Sequence, residues 1–81
     1  MTIQLSIRLF GTLGSKVPDY NHEKGLIIDV ADNITPEDLA KELKIPLNYI
    51  GFISDGSAAI KLDTQLTDKM SVNFFSLISG G

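Results

Sequence analysis

The chain has 81 residues, 43% hydrophobic and 21% charged, a composition that suits one small globular domain and leaves no apolar surplus for a second core. Seven basic residues against ten acidic ones give a net charge of −3, so the clustered Lys and Arg that polyanions require are missing, and neither nucleic acid nor an anionic membrane is an expected partner. There is no Cys and a single His, His22, which excludes a disulfide framework, a thiolate nucleophile and a clustered His or Cys metal site.

From Thr2 to Leu9 apolar and polar residues alternate, with Ile3, Leu5, Ile7 and Leu9 on one face and Gln4, Ser6 and Arg8 on the other, the pattern of a half-buried strand. Phe10 falls on the polar face. The stretch from Gly11 to Gly25 holds Gly14, Ser15 and Pro18 without a sustained period and reads as a loop with room for one helical turn. Leu26, Ile28 and Val30 then alternate, predicting a second strand antiparallel to the first. Next comes Ile34-Thr35-Pro36-Glu37-Asp38-Leu39: Thr35 as N-cap, Pro36 at the first helical position, Asp38 completing a capping box and Ile34 against Leu39 as a staple. Leu39, Ala40 and Leu43 share one stripe and Pro46 stops the run, so a helix is predicted over Pro36 to Leu43. Ile50 to Ser54 and Ala58 to Leu62 flank an Asp55-Gly56 turn as a hairpin. A loop anchored by Leu66 leads to a last strand over Met70 to Leu77, with Met70, Val72 and Phe74 on one face and Phe75 on the other. This order predicts an α+β fold, a sheet with one helix packed across it. No apolar run approaches the ~20 residues that span a bilayer, and the alternating N-terminus lacks a charged-then-apolar signal pattern, so the expected location is cytoplasmic.

The sequence closes on Ser79-Gly80-Gly81. With 7 glycines in 81 residues, a terminal Gly-Gly arises by chance on the order of once in a hundred. Two readings stand: a frayed end, or a delivery arm whose terminal carboxylate reacts. The second has a chemical logic. A carboxylate is ionised at neutral pH and a poor electrophile, so it reacts only after activation, most simply as an acyl-adenylate, and two residues without side chains thread a narrow channel that any Cβ would obstruct.

Phe10-Gly11-Thr12-Leu13, Asp32-Asn33-Ile34-Thr35 leading into Asp38-Leu39 and Leu43, Ile45-Pro46, Ser54-Asp55-Gly56, Leu66-Thr67-Asp68 and Gly80-Gly81, in that order along nearly the whole chain, resemble the MoaD/ThiS family of ubiquitin-like sulfur carriers. The resemblance implies a β-grasp fold with a mixed four- to five-stranded sheet, a domain over 1–75 and a flexible Gly-Gly tail over 76–81. It also implies a mechanism. A ubiquitin-activating-type enzyme (MoeB/ThiF-like) adenylates the Gly81 carboxylate with its own ATP, a persulfide donor supplies sulfur, and the resulting thiocarboxylate passes it to a synthase large subunit, with the molybdopterin branch favoured by the longer first loop. On this reading Gly81 carries the sulfur, Ser79 and Gly80 thread the partner's channel, and the chain is a carrier that binds no cofactor or metal of its own. Two departures from the family pattern stand out: Asp68-Lys69-Met70 where a Gly-Asp turn is usual, and a tail without Pro.

Phe10, Ile27 and Phe75, with Arg8 among them and Leu77 near the tail, form a candidate partner surface on the solvent face. The Asp19, His22 and Glu23 group reads as a solvated loop, and Tyr20 and Tyr49 as loop anchors. Three alternatives remain open: a ThiS-like donor for thiazole or another sulfur pathway, a ubiquitin-like binding module that never uses its terminus, and a modifier conjugated to protein lysines.

Overall fold

The computed structural model describes residues 1–17, 20, 21 and 23–77, with Lys16 described by its backbone. The alternation at the N-terminus becomes β1 (Thr2–Phe10), followed by a 3₁₀ turn (Gly11–Lys16), β2 (Leu26–Ala31), the helix α1 (Pro36–Glu42), a second 3₁₀ turn (Leu47–Tyr49), β3 (Ile50–Ser54), β4 (Ala59–Ile60) and β5 (Ser71–Ser76). Together these make a small α+β domain. Its five strands form one sheet in the order β2-β1-β5-β3-β4. β1 lies parallel to β5 and antiparallel to β2, while β3 is antiparallel to both β4 and β5. The sheet is therefore mixed, with β5 at its centre and β2 and β4 at its edges.

The helix forms where its sequence signals sit. The Thr35 side chain accepts the Asp38 N–H at 3.3 Å and the Asp38 carboxylate accepts the Thr35 N–H at 3.3 Å, the reciprocal arrangement that satisfies two donors left over at a helix start. Ile34 and Leu39 both enter the core. The C-terminal stop differs from the expected one at Pro46. Lys44 takes φ +61, its N–H reaches the Lys41 carbonyl, and the Ile45 N–H reaches back to Ala40 at 2.9 Å. This is a Schellman closure with lysine in the left-handed position where glycine is usual, and it ends α1 at Glu42, one residue before Leu43.

The core joins the inward face of the sheet to α1 and to single residues from four connecting segments. Leu5, Ile7 and Leu9 of β1, Ile53 of β3 and Val72 and Phe74 of β5 pack with Leu39 and Ala40 of α1 and with Leu13, Ile34, Ile45 and Leu66. Every side chain buried in the described residues is apolar, so nothing polar there needs a buried partner. The Met70 side of the last strand faces inward as the alternation implies, although β5 itself spans Ser71–Ser76. β4 is shorter than the expected Ala58 to Leu62 because the chain turns at once: the Lys61 N–H is taken by the Thr64 hydroxyl at 3.0 Å and the Thr64 N–H returns to the Lys61 carbonyl. Among the described residues, no helix is long and apolar enough to cross a membrane.

Candidate functional site

The face of the sheet turned away from α1 is polar over most of its area, carrying Gln4, Ser6 and Arg8 from β1, Asn73 from β5 and Ser54 from β3. At one end this changes. The register sets Phe10 beside Phe75 and Phe75 beside Phe52, so three phenyl rings lie in a row across β1, β5 and β3. The Phe10 and Phe75 centroids are 4.6 Å apart with planes 8° from parallel, and Phe75 and Phe52 are 4.3 Å apart at 3°. Phe52 is 52% exposed and Leu77, just beyond the strand, 55%. A groove of about 370 Å³ runs beside the rings, lined also by Gly11, Gly51, Ser76 and Leu77.

Two glycines let β5 leave the sheet through this groove. Two residues of β3 face one of β5 between the Ile50–Ser76 and Phe52–Phe75 pairs, which makes Gly51 the extra residue of a β-bulge. A Cβ on Gly51 would come within 2.9 Å of the Ser76 carbonyl oxygen and 3.2 Å of the Leu77 backbone. On the other side Gly11 has φ +68, and a Cβ there would overlap the Ser76 hydroxyl, whose oxygen accepts the Thr12 N–H. The Leu77 N–H then donates to the Tyr49 carbonyl at 3.0 Å. The last described residues are thus held on both flanks, and β5 runs one residue into the stretch expected to be tail.

Of the residues expected to form the partner surface, Phe10, Phe75 and Leu77 come together here. Ile27 does not. It is 63% exposed but lies opposite Ser6 on β2, separated from the rings by the row that holds Arg8 and Asn73. The Arg8 guanidinium donates to the Glu23 carbonyl at 3.3 Å, which ties it to the loop before β2. Phe52 is the member that the sequence reading missed. The signal was available, since Ile53 faces inward and strand alternation then turns Phe52 outward, but only the register brings it beside Phe75. Gly81, Gly80 and Ser79 lie outside the described residues, as do Asp19 and His22.

Among the described residues, the only polar side chain lining the groove is the Ser76 hydroxyl. Tyr20 anchors the long loop, as expected: its hydroxyl accepts the Leu9 N–H at 2.8 Å and donates to the Leu9 carbonyl at 3.3 Å, continuing the β1 ladder beyond the start of β2. The Asp55 carboxylate accepts the N–H groups of Ser57 at 2.8 Å and Ala58 at 2.9 Å in the β3–β4 turn. These bonds, that of Ala58 foremost, hold its pKa below the ordinary 3.8, because they stabilise the charged form. No group of three or more His, Cys, Asp or Glu residues is arranged to hold a metal among the described residues.

No family model and no curated protein matches the chain. A solved structure does: the solution structure of the HVO 2177 protein of Haloferax volcanii, with a TM-score of 0.76 and 21% identity, covering 99% of this chain and 88% of that one. At that identity the likeness carries the fold alone.

Proposed function

We propose that this protein is a cytoplasmic β-grasp sulfur carrier that presents Gly81 as a terminal carboxylate for conversion to a thiocarboxylate, in molybdopterin synthesis or a related sulfur pathway. The sheet order β2-β1-β5-β3-β4 with parallel β1 and β5 and one helix is the arrangement expected of a β-grasp domain. The observation that carries the functional reading is the exit of the central strand. β5 delivers Leu77 beside a row of three phenyl rings, of which Phe52 is exposed and Phe10 and Phe75 half-buried, so a partner seated on that row lies next to the segment that leads to Ser79, Gly80 and Gly81. Covering the exposed parts of Phe52 and Leu77 contributes about 1 kcal/mol each to such docking.

The chemistry belongs to the partners. A ubiquitin-activating-type enzyme joins the Gly81 carboxylate to AMP from ATP with release of pyrophosphate. The terminal sulfur of a persulfide then attacks the acyl carbon and expels AMP, and a thiol cleaves the resulting acyl disulfide to leave the thiocarboxylate and a protein disulfide. The carrier binds and presents, and supplies neither acid nor base. A synthase large subunit then takes the sulfur.

The test is intact mass after incubation with ATP, a MoeB/ThiF-like activating enzyme and a persulfide donor, using the chain that ends at Gly81 and one that ends at Gly80. A gain of about 16 Da, sulfur replacing oxygen, in the first and not the second is the expected result. An unchanged mass in both, with activating enzymes that load other carriers in the same assay, overturns the proposal in favour of a module that binds through its sheet. An isopeptide-linked product would identify a protein modifier instead.

A further inference from the structure

The sheet has a second interactive feature, remote from the phenyl row. β2 is an edge strand of six residues, whereas the opposite edge, β4, has only two. The Asp32 N–H donates to the Met1 carbonyl at 3.3 Å, which fixes the phase of the β1–β2 ladder. Counting back along the register, Ile3–Val30, Leu5–Ile28 and Ile7–Leu26 are the pairs that exchange bonds, since bonded and non-bonded pairs alternate. Gln4 and Ser6 accordingly turn their N–H groups the other way, to Asp68 at 2.8 Å and Met70 at 3.1 Å. Ile27 and Asp29 therefore direct both their N–H and C=O groups to the outer side of β2, and Ala31 its N–H, where no strand pairs with them among the described residues.

Beside this edge, between β2 and α1, lies a cleft of about 680 Å³ lined by Met1, Val30 and Ile34 and by Asp29, Asp38 and Glu42. Lys41 also borders it, its ammonium 3.5 Å from Glu37; the Asp38 carboxylate is taken up by the helix cap, and Asp29, opposite Gln4, turns its exposed side chain to the outer face of the sheet. Pairing of two copies along the full length of β2 would set Asp29 against its own counterpart, and like charges directly opposite each other destabilise a strand pair.

We propose that the β2 edge receives an extended segment of another protein as a sixth strand, in which apolar residues alternate with basic ones. Its backbone completes the ladder of Ile27, Asp29 and Ala31. Its apolar side chains, opposite Ile28 and Val30, enter the cleft toward Ile34. A basic residue lies opposite Asp29 on the outer face. Backbone bonds supply the general affinity, and alternate side chains supply the selectivity.

The probe is an acetylated and amidated peptide of alternating valine and arginine, compared by amide NMR titration with one of alternating valine and glutamate. The expected result is binding of the arginine peptide with shifts centred on Ile27, Asp29 and Ala31 and slowed hydrogen exchange at those amides. Asp29→Lys, an exposed substitution outside the core, weakens that peptide about fivefold and strengthens the glutamate peptide. Equal binding of the two peptides, shifts centred on the phenyl row, no shift at millimolar peptide, or self-association through β2 would each overturn the proposal.

Discussion

Replacing the rings of the phenyl row one at a time by leucine tests whether they act as a unit. Phe75 lies between the other two, with centroid distances of 4.6 Å to Phe10 and 4.3 Å to Phe52. An aromatic pair contributes about 0.5–1.5 kcal/mol beyond the area it buries. Leucine keeps the apolar bulk and loses the ring, so Phe10→Leu and Phe52→Leu each remove one pair and cost about 1 kcal/mol, while Phe75→Leu removes two and costs about 2 kcal/mol. In urea, with a slope near ~1 kcal/mol/M for a chain of this size, the midpoint falls by about 1 M for either flanking variant and about 2 M for the central one, with the slope unchanged. A double-mutant cycle between Phe10 and Phe75 returns a coupling of about 1 kcal/mol. If Phe75→Leu costs no more than the flanking variants, the rings share a surface without stabilising one another and the stacking argument fails.

Two further expectations concern the strand exit and the β3–β4 turn. Gly51→Ala places a methyl 2.9 Å from the Ser76 oxygen, so β3 or the chain at Leu77 must move; stability falls by about 1–3 kcal/mol, and the Leu77 amide, now bonded to Tyr49, exchanges faster with solvent. Unchanged exchange at Leu77 would mean that the bulge does not hold the exit. For Asp55 the folded pKa is lowered from 3.8, so its contribution to the turn is present above that ordinary value and is lost as pH falls through the lower folded value. The amide shifts of Ser57 and Ala58 should therefore titrate together with a midpoint below 3.8, and a midpoint at or above it would refute the two hydrogen bonds.

What was legible in the sequence was whatever local physics decides. Strict alternation assigned the inward face of β1 because strand side chains have a period of two. The Thr35 and Asp38 pair marked the helix start because orphan donors there need nearby acceptors, and Asp55-Gly56 marked a turn that closes through the Asp55 side chain and the φ +97 of Gly56. Other features left no such local trace. Lys44 and Lys69 occupy left-handed backbone at φ 61 and 64 without a glycine to announce it. The turn at Lys69 is imposed from outside, with its N–H on the Gln4 carbonyl at 2.6 Å and the Asp68 carboxylate on the Gln4 N–H.

The sequence by itself determined an α+β class, the faces of the long strands, the helix start and the lack of basic clusters, since each follows from residue type and spacing over a few positions. Only the tertiary structure decided which strands are neighbours. That choice belongs to the summed packing of residues far apart in the chain, such as Leu9 against Phe74 in the central β1–β5 pair. Everything specific to the two surfaces follows from it. Phe52 and Phe75, 23 positions apart in the chain, become stacked partners, Gly51 becomes the residue over which the chain leaves the sheet, Ile27 is parted from the rings, and β2 is left as the long edge strand.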